Sequence, residues 1–194
     1  MKEIVKQFVS RYLTVSDSDI DFLLQMGERR NFDRRVRLIE EGDTEKYINI
    51  VLRGLAKKSF THGKEVYVTQ IATEGQLISA ADSFLSNQPT VYCIETIEPT
   101  LFLSFTNSAI HTLYETDKKW QQLGRLLLTR LLVDKERWEL DRVQFSTHER
   151  LNAFIERHSE LVNRVPQRIL ASYLGIQPET FSRLKNNVKL NPIQ

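Results

Sequence analysis

Hydrophobic residues recur at helical spacing at the start of the chain and again in its second half, with a different pattern between. The chain opens with KEIVKQFVSRYL, in which apolar side chains fall three and four positions apart, a spacing that predicts an amphipathic helix. Ser16 stands before a second stretch of this kind and is a residue type favoured at helix N-caps. Two short helices are therefore predicted at the start.

Between about Arg30 and Phe105 the pattern changes to short segments rich in β-branched and aromatic residues. These segments are RRVRLI, YINIVLRG, EVYVTQIA, VYCIETIE and TLFLSF. Turn-forming sequences such as EEGD, THGK, TEGQ and IEPT separate them at regular intervals. The pattern predicts an α+β fold built on an antiparallel, jelly-roll-like β-roll with flanking helices.

A long helix is predicted over residues 117–145, where the helical period returns. Its apolar residues form two sets, one comprising Trp120, Leu123, Leu127, Leu131 and Trp138 and the other Leu126, Val133 and Leu140. A helix of this length spans about 40 Å, and two apolar faces indicate two packing partners. We expect one partner to be the roll and the other a second subunit, so that the chain forms a homodimer through this helix.

The last quarter of the chain differs from the rest in charge. Overall the chain has a formal net charge of +2, but residues 146–194 hold seven lysines and arginines against four acidic residues. Ser146 begins this part as a helix N-cap, with Glu149 as its reciprocal capping partner. We therefore divide the chain into a roll domain over 1–116, the long helix over 117–145 and a basic helical domain over 146–194, where a nucleic-acid surface is expected.

The segment VPQRILASYLGIQPETFSRLKNNV has the spacing of a helix-turn-helix motif. Ala171 stands where two helices must approach closely, and Gly175 supplies the positive φ of the turn. Pro178 fits the first position of the second helix, where no backbone N–H is needed. The predicted core between the helices comprises Leu170, Leu174, Ile176, Phe181 and Leu184.

The exposed face of the second helix carries side chains suited to reading DNA bases. Arg183 can donate two hydrogen bonds to guanine, and Glu179 can accept one from cytosine, with Thr180 between them. Residues predicted to contact phosphates are Thr180, Gln177, Ser182, Lys185 and Arg168. The alternative is that Glu179 and Arg183 form only a surface ion pair. The residues from Lys189 onward are too few for a β-hairpin wing.

Together, the roll, the long helix and the helix-turn-helix resemble the superfamily of the catabolite activator protein and the fumarate-nitrate reductase regulator, over essentially the whole chain. GIQPETFSRL is similar to the family's recognition helix, with Pro178 where some members carry another contacting arginine. LIEEGDTEKYINIVLRGLAKKSF is similar to its strand and glycine-turn signature, with Gly42 and Gly54 at the turns. The resemblance implies a homodimeric transcription regulator that binds double-stranded DNA and contacts RNA polymerase.

The segment EGQLISAADSFLSNQPTVYCIE corresponds to the cassette that binds the cyclic nucleotide in this family. Matching Gly75 and Pro89 to the family pattern puts Ser79 and Ala80 at its Gly-Glu pair and Thr90 at its phosphate-binding arginine. A phosphate would lose its charge-assisted contact there. High-affinity binding of cyclic AMP is therefore not expected.

A pocket for an unknown small-molecule effector is predicted at this cassette. Its candidate residues are Ser79, Ala80, Ala81, Asp82, Thr90, Val91 and Tyr92, with Trp120, Gly124 or Leu127 of the long helix closing it. The alternative is a collapsed pocket in which Val91 and Trp120 belong to the core, Asp82 is a turn or cap residue and Tyr92 is a strand residue.

Other chemistry finds little support in the sequence. Cys93 is the one cysteine, which excludes an intrachain disulfide and an iron–sulfur centre, and the four histidines show no metal-ligand spacing. With no catalytic constellation and no apolar run long enough for a membrane, we expect a cytoplasmic protein that is neither an enzyme nor a membrane partner.

Two further functional hypotheses remain open. One is a ligand-sensing or protein-interaction module whose DNA-binding head is vestigial, suggested by the missing wing and by Pro178. The other is a cyclic-nucleotide sensor with unorthodox contacts.

Overall fold

Two antiparallel sheets form the body of the protein in the computed structural model, which describes residues 1–187 and the side chains of 1–183. One sheet has the strand order β1-β8-β3-β6 and the other the order β2-β7-β4-β5. The strands are β1 Glu28–Phe32, β2 Arg37–Ile39, β3 Tyr47–Arg53, β4 Ala56–His62, β5 Glu65–Ala72, β6 Leu77–Ile78, β7 Tyr92–Thr96 and β8 Thr100–Thr106. This is the predicted α+β fold with an antiparallel roll.

The helices lie before, within and after the roll. They are α1 Lys2–Ser10, α2 Asp17–Met26, α3 Ala81–Ser86, α4 Asn107–Thr116, α5 Lys118–Gln144, α6 Thr147–Arg157, α7 Ser159–Arg164, α8 Gln167–Leu174 and α9 Pro178–Asn187. Both predicted caps are confirmed: Ser16 with Asp19 and Ser146 with Glu149 form reciprocal capping boxes. The long helix begins and ends within one residue of its predicted bounds.

Strand β3 separates two hydrophobic cores because both of its faces are buried. Val51 points between the sheets and packs with Ile94 and Phe102. Ile50 and Leu52, on the opposite face, pack against α1, α2 and the start of α5. This alternation fixes the sheet between an inner core and an outer helical layer.

A third core joins the C-terminal helices to the edge of the roll. Val68 and Ile71 of β5 pack with Leu151 of α6, Leu170 of α8 and Phe181 of α9. We call α6 to α9 the head. Because β5 is an edge strand, its backbone needs partners outside the sheet. The Ser172 hydroxyl supplies them by donating to the Val66 carbonyl at 2.8 Å and accepting from the Val68 N–H at 3.0 Å.

An ion cluster at the base of the head fixes it to two loops of the roll. The Arg164 guanidinium binds both carboxylate oxygens of Glu74, at 2.9 and 3.0 Å, and binds Glu98 at 2.8 Å. Glu74 also accepts from the Gly54 N–H at 2.8 Å. We call this group the Arg164 clamp. Burial opposes the ionisation of Glu74, but the hydrogen bonds from Arg164 and the backbone outweigh it and lower the pKa of Glu74.

Some elements lie outside the predicted pattern. Glu28–Phe32 is largely polar, yet it forms β1 because β8 supplies its hydrogen-bond partners. The two-residue strand β6 and the short helix α3 are too short for a periodic signal. Residues 188–194, on which the expectation of a missing wing rests, lie outside the described residues.

Replacing Gly54 with alanine should destabilise the protein more than the same change at Gly42. Both glycines have a positive φ, at 94° and 91°, which disfavours any other residue by about 1–3 kcal/mol. A methyl group at Gly54 would also collide with the Pro99 carbonyl and Thr100, whereas Gly42 faces open space. Urea denaturation should show an additional loss of about 1–3 kcal/mol for Gly54→Ala. Equal losses would contradict the steric argument.

Breaking the Arg164 clamp should loosen the head. Arg164→Met leaves the Glu74 and Glu98 carboxylates without their shared partner, and since all three side chains are about one-third exposed we expect a loss of about 1–3 kcal/mol by urea denaturation. Arg130→Met is the matched control, because Arg130 pairs with Asp134 on the exposed surface of α5. The control should change stability by less than about 0.5 kcal/mol.

The clamp also predicts a pH dependence. The folded-state pKa of Glu74 lies below its ordinary value of 4.5, so the clamp stabilises fully above that pH and progressively less as the pH falls through the folded pKa. The difference in stability between the wild type and Arg164→Met should therefore shrink on acidification below about pH 4.5. A difference that stays constant down to pH 3 would contradict the role given to Glu74.

Candidate nucleic-acid interface and effector pocket

The turn between α8 and α9 has the geometry that the sequence predicts. Gly175 adopts φ 67° and ψ 38°, the left-handed conformation that ends α8. Its N–H donates to the Ser172 carbonyl at 3.1 Å, and the next N–H, of Ile176, donates to the Ala171 carbonyl at 2.9 Å. Helix α9 then begins at Pro178. The two helices and their turn form a helix-turn-helix.

A small buried core holds the two helices together. Leu170, Ala171 and Phe181 are completely buried, and Leu174 and Ile176 are partly buried beside them. All of these residues except Ala171 are among those predicted for the core. The side chain of Leu184, also predicted there, lies outside the described residues. The core fixes the rotation of α9 and so decides which of its residues face outward.

The side chains proposed to read bases lie on the outward face of α9. Glu179 and Arg183 are exposed and Thr180 is half-buried, while Phe181 between them points into the head. Glu179 and Arg183, both within the described side chains, do not form an ion pair with each other. The structure therefore does not show the ion pair between Glu179 and Arg183 that the alternative interpretation requires.

The residues proposed to contact phosphates surround this face. Arg168, Gln177 and Ser182 are exposed, and the side chain of Lys185 lies outside the described residues. Arg168 and Gln177 also line a cavity of about 950 Å³ between the head, the end of α5 and the β4–β5 hairpin. The cavity therefore does not coincide with the predicted effector cassette.

The cassette itself is folded tightly, with its polar groups paired inside the chain. Ser79, Ala80 and Thr90 are buried. The Ser79 hydroxyl donates to the Tyr47 carbonyl at 3.0 Å, and the Thr90 hydroxyl accepts from the Tyr92 N–H at 3.0 Å. Neither Ala80 nor Thr90 offers the charged contacts that a cyclic nucleotide would need.

The remaining cassette residues lie at the surface or near it. Ala81 begins α3, Asp82 is exposed on that helix, and Tyr92 begins β7 half-buried. Val91 is 57% exposed. The collapsed-pocket interpretation is therefore correct in making Tyr92 a strand residue, but it is wrong in making Val91 part of the core.

Within one protomer, the three residues of α5 that were expected to close the pocket lie elsewhere. Trp120 is buried in the outer helical layer, with its ring centroid 6.4 Å from that of Phe22. Leu127 packs against the same layer. Gly124 faces the Tyr114 ring of α4, where an added methyl group would collide with it. The reason is that the first turns of α5 cover the outer face of β3, whereas the cassette belongs to the inner side.

Two charged side chains at the cassette, those of Glu45 and Lys58, are not among the predicted pocket residues. Glu45 is buried, and its carboxylate accepts backbone N–H groups of Lys46 and Tyr47 at 3.1 Å and of Ala80 at 3.2 Å. Burial raises the pKa of Glu45 despite these hydrogen bonds. Lys58 extends from β4 and donates from Nζ to the Ser79 carbonyl at 3.2 Å.

A signal for Lys58 exists in the sequence, but it is weak. The strand AKKSFTH alternates inward and outward side chains, so one of its two adjacent lysines must face the roll interior. Only the register with β7 shows which one: Lys58 lies opposite Ile94, a residue of the inner core. Lys57 instead pairs with Glu95 on the other face.

The part of the chain that the structure describes shows neither a membrane span nor a metal centre. No helix within residues 1–187 is sufficiently long and apolar to cross a bilayer. In that same part of the chain, no three His, Cys, Asp or Glu side chains gather closely enough to hold a metal ion.

Comparison with known proteins identifies the fold. No family model matches the sequence, and no curated protein matches it. Among solved structures, the catabolite activator protein of Thermus thermophilus shares 20% identity, with 93% of this chain and 90% of that chain covered and a TM-score of 0.60. The c-di-GMP responsive regulator CLP of Xanthomonas campestris shares 16%, with 90% and 92% covered and a TM-score of 0.68.

A third similar structure is FixK2 of Bradyrhizobium japonicum, at 15% identity, 84% coverage of both chains and a TM-score of 0.69. Each of the three alignments covers at least 84% of this chain. The resemblance drawn from the sequence is thus confirmed at the level of the fold: this chain has the architecture of the catabolite activator protein and FixK2.

Proposed function

We propose that this protein is a homodimeric transcription regulator that binds double-stranded DNA through α8 and α9. The observation that carries the proposal is the outward face of α9, where Glu179 and Arg183 are exposed over a completely buried Phe181. In this proposal, residues 1–116 form the sensor, residues 117–145 the dimerisation helix and residues 146–194 the DNA-binding domain.

The chemistry of this face supports readout in the major groove. A guanidinium can donate in a fork to guanine O6 and N7, and a carboxylate can accept from cytosine N4, so Arg183 and Glu179 fit a G·C step. Arg168, Gln177, Ser182 and Lys185 then anchor the head to phosphates on either side. A phosphate at the start of α9 also benefits from the positive end of the helix dipole.

Dimerisation through α5 is supported by an apolar surface that this protomer leaves uncovered. The exposed apolar side chains of α5 are Leu128, Leu131, Leu132, Val133, Trp138, Leu140 and Val143. Several large apolar side chains exposed on one helix are characteristic of protein interfaces. A second copy packed against them along a two-fold axis would place two heads on one DNA face, with half-sites about 34–36 Å apart.

The sensor role is proposed for the roll without a cyclic nucleotide as its ligand. Ala80 and Thr90 stand where the resemblance requires Glu and Arg, and the surrounding polar groups are already paired with the chain. An effector of another chemistry and contact with RNA polymerase in the cytoplasm complete the proposal. Cyclic AMP is expected to leave the melting temperature unchanged, because no ligand effect arises without binding.

Selection from random duplex oligonucleotides should recover a two-fold symmetric site for the wild-type protein, with strong salt dependence. Arg183→Ala should bind that site about 5–150-fold more weakly and lose selectivity at one base pair, because a bidentate contact contributes about 1–3 kcal/mol. The control is Arg29→Ala, which removes an exposed arginine of β1 in the roll and should leave binding unchanged. Recovery of no preferred sequence would instead favour a vestigial head.

Leu132→Glu should convert the dimer into a monomer, because it places a charge at a side chain that is 60% exposed in the protomer and buried in the proposed dimer. Sedimentation equilibrium at micromolar concentration measures the change. Leu85→Glu is the matched control, since Leu85 is 61% exposed on α3, away from this helix. A wild-type protein that sediments as a monomer would contradict the proposed interface.

A further inference from the structure

Lys58 places an ammonium group inside the β-roll. Ala56, Lys58 and Phe60 alternate along β4 on the face that carries the inner core, and Lys58 lies opposite Ile94. The Lys58 Nζ lies 5.1 Å from the centre of the Tyr92 ring. The ring of Phe60 packs edge-on against Tyr92, with centroids 6.2 Å apart. The amine thus has an aromatic wall on one side and the cassette backbone on the other.

This ammonium group has no carboxylate partner within ion-pair distance among the described side chains. Glu45 and Asp82 favour its charged form from farther away, but burial outweighs them and lowers the pKa of Lys58. One of its three donor positions is used, by the Ser79 carbonyl. Lys58 is half-buried, and cations that are partly removed from water are normally paired, so its ammonium group can take a further acceptor.

We propose that Lys58 is the anchor of an effector site for a small organic acid, whose carboxylate pairs with the ammonium group and whose apolar part lies against Phe60 and Tyr92. This inference rests on the sensor role proposed for the roll and names the class of its ligand. The cation comes from a strand, β4, rather than from the cassette, where Thr90 replaces the expected arginine. An ammonium group is a compact point charge that can pair with a single carboxylate without the planar fork that a bidentate contact needs.

The position of Lys58 also connects the site with the head. The strand has a register shift between Lys58 and Ser59, and immediately beyond it Phe60 stacks on Tyr67 of β5 at 5.3 Å. Val66 and Val68, on either side of Tyr67, hold the hydroxyl of Ser172 in α8. An acid seated against Phe60 therefore acts on the hairpin to which the head is fixed.

Benzoate is the probe for this site, with benzamide as the uncharged analogue of the same shape. Thermal unfolding of the full chain should show a rise in Tm of about 2–4 °C at benzoate concentrations a few times the Kd, and no rise with benzamide. Lys58→Met should abolish the rise while keeping the fold, because methionine fills the same space without the charge. Lys58→Arg should keep part of it.

Lys57→Met is the matched control, because the adjacent Lys57 faces the other side of the strand and pairs with Glu95; it should respond to benzoate as the wild type does. Equal shifts for benzoate and benzamide, or an undiminished benzoate shift in Lys58→Met, would overturn the proposal. So would the absence of any benzoate shift in the wild type. If benzoate does not bind, the proposal of selective DNA binding still stands. If benzoate raises the Tm through Lys58 but the protein shows no DNA selectivity, the regulator function is refuted and the organic-acid site is not.

Discussion

The contact between the head and the edge of the roll is the interaction on which the arrangement of the molecule depends. Strand β5 contributes Val68 and Ile71 to one hydrophobic core with Leu170 and Phe181. That core positions α9, and α9 presents the proposed DNA-reading face. The hydroxyl of Ser172 and the Arg164 clamp add direction to this apolar contact, because hydrogen bonds and bidentate ion pairs are geometrically specific whereas hydrophobic packing is not. The pose of the head is thus set by the roll.

Local signals in the sequence predict the elements of this structure well. Ser16 and Ser146 with their acidic partners mark two helix starts, and Gly175 with Pro178 marks the turn of the motif. These succeed because capping and turn chemistry depend on residues a few positions apart. Glu28–Phe32 is the opposite case: its polar sequence becomes a strand only through β8.

The candidate sites were less predictable, for the same physical reason. Arg164 meets Glu74 and Glu98 across separations of 90 and 66 residues, and no periodicity in the chain encodes such a contact. Trp120 would be part of an apolar helix face whether it packed in the outer helical layer or against the cassette. Its neighbours in the sequence therefore do not show which of the two it contacts. Lys57 and Lys58 differ only in which face of the strand they occupy. A shift of the strand register by one residue would exchange the two faces. Long-range pairing decides all three.

The hydroxyl of Ser172 has a consequence for solubility. Strand β5 ends its sheet, and the exposed side chains of Val66 and Tyr67 lie along it. An uncovered edge of this kind is a template for pairing with strands of other molecules. Because Ser172 pairs with the Val66 carbonyl and the Val68 N–H, the head blocks that route, so α8 covers the sheet edge as well as forming part of the helix-turn-helix. Any motion that lifts the head away from the roll therefore also exposes an edge that is prone to aggregation.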